Sequence, residues 1–338
     1  MTNIKEVAKR AGVSVGTVSN VLNSLPTVTG ENLGKVREAI KELDFSPNRI
    51  AASLSNKKTF NIGLIIPDIS SPYYADLIKG ISDSIESKGY NIFLCGSNDN
   101  LEKETKIIND LLSLWIDGII IVPVYDRSRD IDLINNINIP TVLVNREIQG
   151  LTRDLAVFNN FKGAYDATKY LIANNHKNII TLAGPQHSRS FEDRLLGWKE
   201  AVQEYKLYRK EHIFIGDYSV ESGYKSMKKA LNHLKEIDAV FASSDLIALG
   251  AMSAIKEKQL SIPEDISIIG LGDIYLSKYL EPALTTIKRP FYNIGKTAVS
   301  MLMEKISLGR SAVIDENPRK VIIEGLLEIR KSVAAKNQ

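Results

Sequence analysis

Cysteine occurs once in the 338 residues, as Cys95, and histidine only four times. One thiol excludes an intramolecular disulfide, and the four histidines form no group at metal-ligand spacing. No run of eighteen or more apolar residues exists, so nothing is expected to cross a bilayer. The first residues, Met1 to Arg10, are polar and charged and lack the apolar core of a signal peptide. Also missing are a G-x-G-x-x-G after a first strand, a P-loop and a G-x-S-x-G, which argues against dinucleotide binding and against hydrolase chemistry. His187-Ser188 sets two reactive residue types side by side, but neighbours in sequence rarely make a catalytic pair. The expectation is a cytoplasmic protein that is not an enzyme, with no cofactor, no metal and no membrane partner.

What is present is an ordinary globular composition, 44% hydrophobic and 25% charged, which argues against a disordered chain. The length is too great for one small core and fits a minor domain plus a larger body. Charge separates the two. Residues 1–58 hold nine Lys and Arg against five acids, whereas the rest balances 34 against 35. A basic head on a nearly neutral body suggests a polyanion partner for the head, or else a solvated charged face.

Within the head, Ile4, Val7, Ala8 and Ala11 fall at i, i+3, i+4 and i+7, the pattern of a short amphipathic helix. Gly12 ends it, and Ser14 is placed to cap a second helix with Val18, Val21 and Leu22 inward. Val15, Gly16, Ser19, Asn20 and Asn23 then point outward. A third helix is expected to bury Leu33, Val36, Ile40 and Leu43. Two short helices joined by a tight turn and braced by a third can lay one helix in a major groove.

The stretch Asn3-Ile4-Lys5-Glu6-Val7-Ala8-Lys9-Arg10-Ala11-Gly12-Val13-Ser14, with Thr17-Val18-Ser19 and Val21-Leu22-Asn23, resembles the headpiece of the LacI/GalR family of bacterial regulators. The resemblance implies that Val15, Gly16 and Asn20 occupy base-reading positions, and that Ser14, Thr17, Asn23 and Thr29 contact phosphates. Asn can pair bidentately with adenine and a small apolar side chain can meet a thymine methyl, whereas Gly16 offers no direct readout. Leu33-Gly34 stands where the family usually has Thr-Arg, and glycine inside a helix costs roughly 0.5–1 kcal/mol against alanine. Residues 47–60, beginning Pro47-Asn48-Arg49, resemble the family's hinge helix, which folds when two copies meet in the operator's minor groove. Asn48 and Leu54 would be its DNA contacts, Leu54 as the wedge at the central base step.

From residue 61 short apolar runs alternate with helical stretches such as 76–88 and 104–115. Runs at 62–66, 92–95, 118–122, 141–144 and 155–158 make one set; 179–183, 212–215, 239–242, 266–270 and 285–287 make a second. Alternation of this kind means parallel sheets covered by helices, and two sets mean two lobes with ligands at the carboxyl ends of the strands. Markers such as Ile65-Ile66-Pro67-Asp68, Pro72-Tyr73-Tyr74, Asn145-Arg146 and Pro282-Ala283-Leu284-Thr285-Thr286 resemble the same family and the periplasmic sugar-binding proteins that share its fold.

The fold class implied is α/β: a helix-turn-helix headpiece (1–46), a hinge helix and linker (47–60), and a two-lobed periplasmic-binding-protein-like sensor of parallel sheets with flanking helices. The N-lobe would take 61–160 with 291–320, and the C-lobe 161–290 with 321–338, with crossings near Asn160, Arg289-Pro290 and Lys320. Carried over by position, the resemblance lines the effector cleft with Tyr73, Tyr74, Asn145, Arg146, Asn160, Ser190, Arg194, Tyr218, Ser244 and Asp273. Asn145, Ser244 and Gly272 stand where the family usually has Asp, Asn and Asp, which removes strong acceptors and leaves two effector classes open. One is a neutral sugar; the other is an anionic ligand such as a sugar phosphate, attracted by Arg146 and Arg194. The implied protein is a sequence-specific regulator, a repressor by expectation, whose affinity for a pseudo-palindromic operator depends on a small effector. It would act as a homodimer, because the tail after residue 329 has no leucine heptads to make a tetramer. A protein co-regulator is a further partner that some relatives use.

Overall fold

The computed structural model describes residues 3–22, 28, 30–45, 58–124, 131–148, 150, 152–309 and 318–336. It divides into two compact units, Met1–Thr59 and Phe60–Gln338.

In the first unit, α1 (Ile4–Ala11) starts with a capping box. Asn3 Oδ1 accepts from the Lys5 and Glu6 amides at 3.0 and 3.1 Å, and the Asn3 amide donates to the Glu6 carboxylate at 3.2 Å. Gly12, at φ 65°, turns the chain out of the helix into a conformation that a side chain disfavours. Then α2 (Val15–Leu22) begins, its first turn capped by Ser14 Oγ, which accepts from the Thr17 amide at 3.0 Å. The third helix, α3 (Glu31–Glu42), closes a small core of Val7, Ala8, Ala11, Val18, Val36 and Ala39. The expected stripe on α3 is corrected here. Ala39 joins Val36 in the core, Ile40 and Leu43 are half-buried against it, and Leu33 lies outside the cluster.

The second unit holds two sheets. In chain order come β1 (Asn61–Ile66), α4 (Ala75–Glu86), β2 (Asn91–Gly96), α5 (Leu101–Ser113), β3 (Gly118–Ile121), α6 (Ile131–Asn135), β4 (Thr141–Val144) and β5 (Asp154–Phe158). The second series runs α7 (Asn160–Ala173), β6 (Ile179–Ala183), α8 (Arg189–Glu204), β7 (Ile213–Ile215), α9 (Val220–His233), β8 (Ala239–Ala242), α10 (Asp245–Glu257), β9 (Ser267–Gly272) and β10 (Thr285–Lys288). The chain then returns through α11 (Phe291–Leu308), β11 (Lys320–Ile323) and β12 (Leu326–Glu328).

The strand orders, β11-β5-β4-β3-β1-β2 and β12-β10-β9-β8-β6-β7, repeat one plan. Every pairing is parallel except that of β12 with β10. The central strands are largely apolar because helices cover both faces, as in Ile119, Ile120 and Ile121 of β3, all fully buried. Residues 321–323, expected in the second lobe, pair instead with β5 of the first, from Val321 opposite Ala156 to Ile323 opposite Phe158. The third crossing therefore lies between Ile323 and Leu326. Apolar periodicity could not place it, because both flanking strands are short and half-exposed.

Helix α4 buries Leu77, Ile81 and Ile85 at fourfold spacing and crosses α11 where two glycines meet. A Cβ on Gly295 would stand 2.7 Å from the Leu77 carbonyl, and one on Gly80 would overlap the Tyr292 carbonyl. One continuous buried cluster links Leu64 and Leu302 of the first lobe to Trp198, Phe241 and Leu271 of the second.

Candidate functional sites: a polar helix face and an interlobe cleft

On the first unit the outer face of α2 carries Ser14, Val15 and Gly16, all exposed, with Thr17, Ser19 and Asn20 half-buried. Val15 is 41% exposed, so it does not serve as a core residue here. The Ser14 and Thr17 hydroxyls lie 2.9 Å apart, which fixes both beside the helix N-terminus, where backbone amides favour an anion. Lys5, Lys9 and Arg10 on α1 are exposed, and Arg10 pairs with Glu42 across the bundle. The other expected DNA contacts, Asn23, Thr29, Asn48 and Leu54, lie outside the described residues.

In each sheet the strand order reverses between neighbouring strands, β1/β3 in the first and β6/β8 in the second, and connections leave in opposite directions there. Such switch points open crevices at the strands' carboxyl ends. Here both face one cleft that is open to solvent. The first lobe supplies Pro67, Asp68, Ser71, Tyr73, Tyr74, Asp99, Asn145, Arg146 and Phe291. The second supplies Ser188, Ser190, Phe191, Arg194, Tyr218 and Ser244, and Arg289 enters from the crossing between them.

Arg194 projects from α8 and is only 3% exposed. Its Nε donates to Asn160 Oδ1 at 2.8 Å, and Nη1 to the Ser243 carbonyl at 2.7 Å. Its Nη2 has no partner among the described residues. Burial, with the nearby Arg289 charge, pushes its pKa down to about 9, so the guanidinium stays charged at neutral pH. It stacks on Phe191 at 4.6 Å, and Phe191 in turn lies against Tyr218, with ring centres 6.3 Å apart. Tyr218 is 43% exposed, an aromatic face available to a flat ligand.

Tyr73 and Tyr74 follow β1 in a single 3₁₀ turn, Pro72–Tyr74. The Tyr73 hydroxyl accepts from the Leu246 amide at 3.3 Å, tying the first lobe to the N-terminus of α10 in the second. Arg289 stacks on Tyr73 at 4.6 Å and on Phe291 at 4.2 Å. Burial raises both tyrosine pKa values and lowers that of Arg289. Behind them Asp245 is fully buried and accepts from Thr286 Oγ1 at 2.6 Å, Ser277 Oγ at 2.8 Å and the Ile274 amide at 2.9 Å. Desolvation raises its pKa against those bonds.

Eight of the ten expected effector residues therefore line the cavity, and two do not. Asn160 is buried and holds Arg194 from behind, while the Asp273 carboxylate is taken by Arg330 at 2.6 Å. Asp273 adopts a left-handed backbone there, at φ 54°. Arg146 does line the cavity, but its Nη1 is bonded to Asp99 at 3.0 Å and to the Pro123 and Val124 carbonyls. Its charge is compensated within the protein, which weakens the case for it as the anion attractor. Ser244 caps α10, accepting from the Ile247 amide at 3.3 Å. Sequence reasoning missed Asp68, Asp99, Phe191, Phe291 and above all Arg289, which it read only as a crossing. The usable signal was position, since each follows a strand's carboxyl end or opens the next helix.

The cavity offers stacking faces and hydrogen-bonding groups rather than a nucleophile beside a base. Among the described residues no group of three His, Cys, Asp or Glu could hold a metal ion, and no helix is long and apolar enough to cross a membrane.

Comparison with known proteins agrees with this geometry. Residues 59–332 match the family described as periplasmic binding proteins and sugar binding domain of LacI family, and residues 3–48 match the bacterial regulatory proteins, lacI family. The HTH-type transcriptional repressor PurR of Proteus mirabilis (strain HI4320) is 37% identical over 326 residues, covering 95% of this chain and 96% of that one. Among solved structures, the Lac repressor dimer bound to operator and the anti-inducer ONPF superposes with a TM-score of 0.86 at 28% identity, covering 99% of each chain. The complex of the transcriptional regulator CelR with cellobiose gives 0.73 at 26% identity, covering 98% of this chain and 100% of that one. A cleft at paired switch points, a capped and exposed second helix, and matches that span both units have one explanation: the chain belongs to the LacI family of bacterial regulatory proteins.

Proposed function

We propose that this protein is a transcriptional repressor that binds a pseudo-palindromic operator as a homodimer and is switched by a small effector in the interlobe cleft. One observation carries the reading: the same chain joins an exposed, capped second helix to a two-lobed cleft that, among the described residues, has binding groups and no catalytic pair. Val15 and Asn20 read bases, while Ser14 and Thr17 hold phosphates. Relatives support the two halves separately, one named a repressor and another a dimer on operator with an anti-inducer.

The domain plan proposed is a headpiece of 1–46, a hinge of 47–60, and two lobes that exchange the chain three times. Exposed apolar side chains suit self-association. Phe93 and Leu94 are exposed on edge strand β2 and Trp115 is 71% exposed, while Tyr275 and Tyr279 stand ring against ring beside exposed Leu276. The effector works by changing the angle between lobes, and with it the spacing of two hinges. Linkage is reciprocal, so operator must change effector affinity by the same factor.

Selection of bound duplexes from a random pool, at stated salt, tests this. A two-fold symmetric site with a deformable centre is expected. Recovery of only unrelated, salt-sensitive sequences would reduce the protein to a ligand sensor without specific DNA output.

A further inference from the structure

Arg289 is 7% exposed, and its Nε is buried without a hydrogen-bond partner among the described residues. Its guanidinium lies between the faces of Tyr73 and Phe291, which stabilise a cation but accept no N–H. It lines the cleft together with Arg194, whose Nη2 is likewise unpartnered among the described residues. Behind the pair, Asp245 takes its hydrogen bonds from Thr286, Ser277 and Ile274, and among the described residues it forms no ion pair with either arginine. Asp193, the other carboxylate acting on Arg194, is paired with Arg189 at 3.0 Å, so neither buried guanidinium facing the cavity has an ion-pair partner among the described residues. Burying an uncompensated charge is unfavourable, and a ligand anion is the missing partner.

Resting on the effector-controlled reading above, we infer that the cleft is built for a hydroxylated small molecule bearing one anionic group, phosphate or carboxylate, seated between Arg194 and Arg289. Two forks of N–H donors match the oxygens of such a group better than one hydroxyl would. The N-terminus of α8, at Ser188 and Ser190, adds amide dipoles on the same wall. Toward the first lobe, Asp68 and Asn145 offer acceptors for hydroxyls, and Tyr218 offers a stacking face. Arg146, already held by Asp99, plays no part in anion capture.

The test is thermal stability of the full chain titrated with inorganic phosphate against chloride at constant ionic strength. The wild type is expected to show saturable stabilisation by phosphate. Arg289→Gln should need roughly ten- to hundredfold more phosphate, the loss of a charge-assisted bond, with Arg289→Lys between them. Equal responses to phosphate and chloride would overturn the assignment, as would an Arg289→Gln variant that responds like wild type. If that variant does not fold, judged by circular dichroism, the wild-type titration and Arg289→Lys decide. Glucose 6-phosphate and gluconate are then compared with glucose. Greater stabilisation by the first or second assigns phosphate or carboxylate, and neutral glucose matching both overturns the inference. Operator selection by the wild type is a separate readout, so failure of the regulator reading and failure of the anion site are distinguishable.

Discussion

Replacing Tyr73 with Phe removes one oxygen and leaves the ring that stacks on Arg289. The lost group accepts the Leu246 amide at 3.3 Å, a hydrogen bond that exists only while the lobes are together. A neutral hydrogen bond of this kind contributes about 0.5–1.5 kcal/mol net. At room temperature that shifts the ratio of closed to open cleft by about two- to twelvefold. In the open form the Leu246 amide can take water instead, so the effect acts on closure more than on folding. An effector that bridges the walls favours closure, whereas Tyr73→Phe disfavours it. The variant and a cleft ligand should therefore move operator affinity in opposite directions. Fluorescence anisotropy with labelled operator at fixed salt reads the shift, and urea denaturation checks that stability falls by no more than about 1.5 kcal/mol. A shift in the same direction as the ligand, or none beyond error, would refute the role given to this bond.

Other outcomes follow from the same geometry. Gly34 lies mid-helix in α3 with open space where a Cβ would stand, so Gly34→Ala should stabilise the head by about 0.5–1 kcal/mol, read as slower amide exchange at Val18 and Val36. Gly223→Ala should do the reverse to the sensor, because its Cβ would strike the backbone of Ile247; about 1–3 kcal/mol should be lost in a urea midpoint. Ser14→Ala removes the cap on α2 and should cost the head about 0.5–2 kcal/mol, with weaker operator binding. His176 and His212 are buried, and desolvation lowers both pKa values. Their neutral forms are favoured by the fold, so the stability they contribute is complete above the ordinary histidine value of about 6.5 and falls as pH drops below it. Urea midpoints at pH 7.5 and 5.5 should differ less in His176→Gln and His212→Gln than in wild type.

Local pattern carried most of the fold. The ten apolar runs read as strands β1–β10 coincide with them to within a residue or two, because strands covered on both faces must be apolar along their length. Ser14 was legible as a cap because an oxygen-bearing side chain just before an apolar-periodic segment has one obvious task. The cleft was legible only through resemblance and the strand-end rule. What failed was pairing at long range. Nothing in the neighbourhood of Arg146 announces Asp99, 47 residues earlier, nor does Asp273 announce Arg330, 57 residues later. A charged side chain looks free in sequence until the fold supplies its partner. Arg289 differs in the opposite sense: it reads as part of a linker, whereas the fold sets it in a cavity wall, stacked on two rings, with its Nε lacking a hydrogen-bond partner among the described residues.

The repeated sheet plan also bears on how this chain is made. The first sheet gets its edge strand β11 and the covering helix α11 only after strands β6–β10 of the second lobe have been synthesised. Lys320 must find Leu155, and Leu302 must reach a core begun at Ile62. While the second lobe emerges from the ribosome, the first therefore waits with β5 unpaired on one side and part of its apolar surface bare. Contacts of such sequence separation form slowly, and an open, parallel, hydrophobic edge is where an unfinished chain aggregates. A nascent chain arrested before residue 291 should accordingly hold a chaperone or protease-sensitive first lobe, and one extended past residue 323 should not.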